Sequence, residues 1–257
     1  MSRFSVVVRL GRYFQRAPLW LFRFLEWPFV MLLGNQQNKA PVIIILALPR
    51  SGSTVTYQSL CHGLDINYLS NLWHLMYQLP LLGGLFAAKF SRVHRSNFKS
   101  EHGFVAGIDG PAEGIKFWQW WLGCGLSDRD CQRHSVAKLR RRSNYLRRVL
   151  TTLGALNQQP FATAYLGHAL VADRVDVAFP GAVLIRLRRD PISNALSLLQ
   201  CARQNGVDWF SVKPNQCDGL EDASEHRKVA SQVYWLNRRL DQSECAGSML
   251  TVHYEQL

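Results

Sequence analysis

The stretch VIIILALPRSGSTVTYQSL, Val42 to Leu60, constrains the fold more than any other part of the chain. Its first six residues, Val42 to Ala47, are apolar without polar alternation, which is how a strand reads when helices cover both of its faces. An antiparallel sheet with one wet face would alternate instead. Pro49 to Thr54 then form a tight turn rich in Gly and Ser, and Val55 to His62, closed by Gly63, read as a helix. A second uninterrupted run, Ala182 to Leu187, and shorter ones at Phe161 to Ala164 and Met249 to Tyr254 repeat the strand signal. Helical patterns fill Leu139 to Leu156, His168 to Ala178, Ile192 to Arg203 and Ala223 to Leu240. Strand alternating with helix predicts an α/β fold: a P-loop-like, three-layer αβα domain with a central, mostly parallel sheet over residues 41–257.

A strand that runs through a tight turn into a helix makes an anion site. The first backbone N–H groups of the helix have no acceptor within it, the helix dipole adds positive potential, and Gly52 lets the backbone come close to a phosphate. Ser51, Ser53 and Thr54 add hydroxyls, and Arg50 adds a fixed charge. The turn departs from the G-x-x-x-x-G-K-[ST] loop of metal-dependent nucleotide hydrolases, because Ala47 stands at the first Gly position and Ser53 where Lys is required. A second anion signal lies in LIRLRRDPISNALSLLQCAR, Leu184 to Arg203: a buried strand, Asp190 as N-cap, Pro191 at the first helical position, then an apolar helix. Arg189 at the strand end can converge on one anion with Ser193 and Ser197, four apart on one helix face.

Charge agrees with anionic ligands. There are 30 Lys and Arg against 18 Asp and Glu, a formal net charge of +12, which alone does not choose among nucleic acid, anionic lipid and phosphate- or sulfate-bearing small molecules. The basic run Lys138 to Arg148 is interleaved with Val136, Leu139, Leu146, Val149, Leu150 and Leu153 near helical period, so it reads as a solvated face of a packed helix. No nucleic-acid-binding module is recognisable, and nucleic acid is not expected as a partner. Six cysteines without a CxxC pair read as free thiols of a reducing, cytoplasmic compartment, and no metal site is expected from them.

Residues 1–40 read as a separate segment. Arg3, Arg9, Arg12 and Arg16 lead into the apolar, aromatic stretch Ala17 to Gly34. Arg23 and Glu26 disfavour a membrane span, and no small-residue cleavage site follows. Three readings stay open for residues 2–34: a helix in the headgroup region making peripheral membrane contact, a helix packed on the domain core, and a span.

Residue by residue, Pro49-Arg50-Ser51-Gly52-Ser53-Thr54 resembles the 5′-phosphosulfate loop of the sulfotransferase family that uses 3′-phosphoadenosine 5′-phosphosulfate, and the segments that follow resemble its bacterial-type branch. These are GFVAGIDGPAEGIKFWQWW (Gly103 to Trp121), FPGAVLIRLRRDP, WFSVKP (Trp209 to Pro214), VASQVYWLNRRL and VHYEQL, in the family's order. The resemblance implies that the backbone of residues 51–54 holds the 5′-phosphate, that Arg50 holds the bridging oxygen, and that Arg189 and Ser197 hold the 3′-phosphate. By position alone, Trp209 and Lys213 close over the nucleotide. Two departures stand out: Thr163-Ala164-Tyr165 replaces a polar pair, and the chain ends at Leu257 where relatives continue into a further helix, so a C-terminally shortened domain is expected.

The implied reaction is metal-independent, in-line sulfuryl transfer to a hydroxyl or amine of a small-molecule, glycan or lipid acceptor, and it needs a base. Glu113 is the first candidate, since Phe117, Trp118, Trp120 and Trp121 would raise its pKa. His74 and His102 are weaker ones. The acceptor pocket is expected in residues 64–112, with Tyr68, Trp73, Tyr77 and Phe86. A P-loop-like kinase or hydrolase and an inactive, membrane-associated relative are the alternatives.

Overall fold

The structure, a computed structural model, describes residues 19–33, 41–90, 98–100, 103–131 and 135–257. Strands β1 (Val42–Ala47), β2 (Asn67–Tyr68), β3 (Phe161–Ala164), β4 (Val183–Arg188) and β5 (Leu250–His253) form one all-parallel sheet in the order β2-β3-β1-β4-β5. The most apolar strand takes the centre, with Ile43 opposite Ala162 of β3 on one side and Val183 of β4 on the other. Ile44 and Ile45 point to opposite faces and both are buried. Both faces are therefore covered, and the three-layer α/β expectation holds.

Ten helices, among the described residues, surround the sheet: α1 (Leu19–Leu33), α2 (Ser53–Gly63), α3 (Asn71–Leu75), α4 (Pro80–Phe90), α5 (Ile115–Leu122), α6 (Asp128–Cys131), α7 (Val136–Asn157), α8 (Ala172–Ala178), α9 (Pro191–Asn205) and α10 (Glu225–Asp241). Capping explains where α9 begins and ends and where α10 begins. Asp190 accepts the Ser193 N–H at the start of α9, whose first residue is Pro191, and Gly206 at φ 62° ends it. Ser224 accepts the Arg227 N–H at the start of α10.

Several expectations need correction. The helix anticipated over His168 to Ala178 is two pieces, a 3-10 turn at Leu166–Leu170 and then α8, separated by Val171 at φ −140° and ψ 37°. On α7, Leu146, Val149, Leu150 and Leu153 are buried as the periodicity implied, but Val136, at the first turn, is 82% exposed. Tyr68 and Trp73, expected in an acceptor pocket, belong to the core: Trp73 packs edge-on against Phe117 and Phe161, and the Tyr68 hydroxyl donates to the Asp109 carbonyl. No helix among the described residues is long and apolar enough to cross a membrane. Instead α1 buries Glu26 and Val30 while leaving Phe24, Trp27 and Phe29 exposed. Arg3, Arg9, Arg12 and Arg16 lie outside the described residues.

The turn after β3 is packed tightly where it passes the chain leaving α5. A side chain at Gly167 would fall on the Gly125 carbonyl oxygen and the Tyr165 ring. Neither is a flexible chain end, so Gly167→Ala is expected to lower the unfolding free energy by about 1–3 kcal/mol, the usual cost of overpacking. A urea titration reads this as a lower midpoint at unchanged slope.

Candidate functional site

In an open parallel sheet, ligands bind beyond the carboxyl ends of the strands where the connections diverge. Here that point is β1. The chain leaves it for β2 on one side, and later crosses from β3 over β1 to β4 on the other. The turn after β1 is held from within: Ser51 donates both its hydroxyl (2.7 Å) and its N–H (3.2 Å) to the Leu48 carbonyl. Arg50 takes φ 65° and Gly52 φ 91°, both left-handed, and Gly52 is the N-cap of α2. The first N–H groups of α2 therefore face outward with no earlier turn to receive them. Ser51, expected among the hydroxyl donors to a phosphate, is buried and its proton is already committed to Leu48, so Ser53 and Thr54 supply the hydroxyls nearest the open side.

The two anion signals of the sequence meet. Arg50 Nε donates to Ser197 Oγ at 3.2 Å, and Arg189 Nη1 donates to the Arg50 carbonyl at 2.7 Å. Asn194, buried on α9, donates to the Pro49 carbonyl at 2.8 Å. Two guanidinium groups and a hydroxyl thus gather at the mouth of the turn, which suits a multiply charged anion.

Asn194 and Tyr254 are participants that the sequence reading passed over. The Tyr254 ring lies 4.7 Å beneath the Arg189 guanidinium and against Gly52, where a side chain at residue 52 would collide with it. The next residue, Glu255, accepts the Asp190 N–H at 2.8 Å. The VHYEQL segment was recognised only by its order in the chain. Its position one residue past the edge strand β5 is the signal that could have placed Tyr254 at the same sheet edge.

Glu113 stands on the other flank of the turn. It shares a narrow cleft with Ser53, Thr54, Tyr57, Gly103 and Ala164 at the end of β3. Its Oε1 lies against the backbone of Gly103, whose φ of 93° and missing side chain make the room. Burial pushes the Glu113 carboxyl up to about 7, as expected of a carboxylate taken from water. Phe117, Trp118 and Trp121, the aromatic residues that follow, are fully buried, but none of them lines the Glu113 cleft.

The remaining candidates are elsewhere. His74, on the short helix α3, does not line the Glu113 cleft, and burial together with the Lys116 charge lowers it to about 4. His102 lies outside the described residues. Lys213 lies 4.9 Å from the Trp209 ring, but its ammonium pairs with Asp218 (2.9 Å) and Glu221 (3.3 Å), and among the described residues neither Trp209 nor Lys213 makes a polar contact with the turn.

Comparison with known proteins bears on the fold and the family. No curated protein matches the chain in sequence. Among solved structures, the sulfotransferase STF9 from Mycobacterium avium superposes with a TM-score of 0.50 at 15% identity, covering 94% of this chain and 64% of that one. The likeness is one of fold, and this chain spans less than two thirds of that protein's length. The model of the Sulfotransferase family matches residues 41–257, from the strand before the phosphate turn through Tyr254 to the last residue, and the chain belongs to that family.

Proposed function

We propose that the chain transfers a sulfuryl group from 3′-phosphoadenosine 5′-phosphosulfate to a hydroxyl or amine of a small-molecule, glycan or lipid acceptor. The observation that carries this reading is the convergence of Arg50, Arg189 and Ser197 on the N-terminus of α2. The residues fit the donor: an outward row of N–H groups with Ser53 and Thr54 for the 5′-phosphate, and Arg189 with Ser197 for the 3′-phosphate. Tyr254, a flat ring beside both, is suited to pack against the base. When bound, the donor supplies an activated sulfuryl group whose leaving group is a phosphate.

The work of the protein's own residues divides across the turn. Glu113 accepts the proton from the acceptor O–H or N–H as the new bond to sulfur forms. Arg50, with the α2 N–H groups, stabilises the negative charge that gathers on the phosphate oxygen as the S–O bond breaks. All six cysteines are buried thiols, which fits the reducing conditions of the cytoplasm.

Calorimetry with 3′-phosphoadenosine 5′-phosphate tests the donor site. Wild type is expected to bind it without added Mg²⁺, and Arg50→Ala to bind at least about tenfold more weakly, equivalent to about 1.4 kcal/mol. Equal affinity of the variant would remove Arg50 from the site. Tight, Mg²⁺-dependent ATP binding in place of bisphosphate binding would favour the kinase or hydrolase alternative.

The pH dependence tests the base. Because Glu113 titrates near 7, kcat/KM should rise with pH up to about that value and then level. Glu113→Gln should lower kcat by roughly 10²–10⁴-fold and abolish that limb while leaving bisphosphate affinity intact. The stability consequence has a definite sign. The folded-state value is raised above the ordinary 4.5, so the folded protein binds the extra proton between 4.5 and about 7, and stability falls as pH rises through that window. Urea midpoints of Glu113→Gln should lack this contribution.

A further inference from the structure

Helix α1 is inside out. Its one acidic residue, Glu26, is fully buried: Oε1 accepts the Leu82 N–H of α4 at 2.8 Å and Oε2 accepts the Tyr145 hydroxyl of α7 at 2.8 Å. The outer face of the same helix carries Phe24, Trp27, Phe29 and Leu32 at 70%, 52%, 60% and 79% exposure. One turn beyond Leu82, α4 adds exposed Leu85 and Phe86. Scattered exposed apolar residues are ordinary, but a contiguous aromatic face whose helix directs its carboxylate inward is the mark of a surface with a partner.

The neighbouring helix indicates which partner. Over its whole length α7 contains six Lys and Arg and no Asp or Glu. Arg148 reaches Met31 of α1, Nη1 to Sδ 2.8 Å, so a guanidinium lies at the border of the aromatic face. Arg141, seven residues earlier, lies on the same stripe of α7. Lys138, Arg140 and Arg141 are exposed and make no ion pair among the described residues. The sequence preceding α1 carries Arg3, Arg9, Arg12 and Arg16 and no acid. A protein partner would be expected to meet charges of both signs. Among the described residues, a strip of Phe and Trp bordered by the cations of α7 matches the boundary between acyl chains and anionic headgroups.

We propose that the outer face of α1, extended by Leu85 and Phe86 and bordered by the Arg141–Arg148 stripe of α7, docks the protein on an anionic bilayer surface. The aromatic side chains enter the headgroup boundary and the guanidinium groups meet lipid phosphates. This surface is separate from the phosphate turn, so it stands or falls independently of the donor assignment.

Flotation of the full chain with vesicles tests it. With an equal mixture of phosphatidylcholine and phosphatidylglycerol the wild type should float, and with phosphatidylcholine alone its partitioning should drop at least about tenfold. Raising salt from 0.1 M to 1 M, which shortens the Debye length from about 10 Å to about 3 Å, should weaken binding to the mixed vesicles. Arg141→Glu with Arg148→Glu should weaken it at least about tenfold, and Trp27→Ser with Phe24→Ser should also lower it. Far-ultraviolet circular dichroism and the urea midpoint serve as the folding controls for each variant. Wild type that stays with neither vesicle, or binds both equally with no effect of salt, would overturn the proposal. So would a concentration-dependent dimer that the Trp27 and Phe24 substitutions dissolve while vesicles remain bare.

Discussion

The hydrogen bond from Arg189 to the carbonyl of Arg50 is the contact on which the candidate site depends. Arg50 occupies the left-handed region, where a side chain is disfavoured, and such a conformation persists only when its surroundings determine it. Three ties do so: Arg189 on the Arg50 carbonyl, Asn194 on the Pro49 carbonyl, and Ser51 on the Leu48 carbonyl. Two of the three come from residues that follow β4 in the sequence. The turn after β1 is thus shaped by the neighbouring strand and its helix, and register between β1 and β4 becomes a condition for the geometry of the candidate site. Arg189 contributes to both shape and charge, since the same guanidinium that fixes the backbone also faces the mouth of the turn.

Much of this was legible beforehand, for a physical reason. A strand buried on both faces can only be apolar throughout, so β1 and β4 announced themselves, and the Gly52 and Asp190-Pro191 signals fixed where their helices begin. Short elements were not legible. Strand β2 is two residues long and α3 is five, too few for any periodicity, and their places are set by contacts such as Tyr57 Oη with the Leu69 N–H. The aromatic residues Tyr68 and Trp73 misled because composition does not distinguish a ring that lines a pocket from one that fills a core. Tyr254 was missed for the opposite reason: nothing local marks it, and its position follows only from the all-parallel sheet that brings every strand end to one edge.

The charge excess resolves into unlike parts. Near the turn, Arg50 and Arg189 are held by hydrogen bonds to backbone and hydroxyl, which fixes their direction. On α7, Lys138, Arg140 and Arg141 extend from an exposed helical face with no such constraint. Directed cations select a ligand of defined shape, whereas an exposed row of cations without such ties senses only the sign of a surface. The two sets also differ in their apolar companions: the Tyr254 ring beneath Arg189 at the turn, a broad aromatic face beside α7.

Placement of Glu113 across the turn from these cations has an electrostatic consequence. A carboxylate near guanidinium groups would have its pKa lowered and would be a weak base at neutral pH; Glu113 has instead a value near 7, set by burial. It lines the β3 side of the turn, whereas Arg189 and Ser197 come from β4 and α9. A bound polyanion between the two flanks would act on Glu113 as a like charge and raise its pKa further. Arg50 and Arg189 would partly neutralise that anion and so limit the rise. The basicity of Glu113 with such an anion bound would therefore be a balance between the charge of the anion and that of the two guanidinium groups. Weakening those cations would shift the acid limb upward in pH as well as loosen the anion, coupling Arg50 and Arg189 to Glu113 through space.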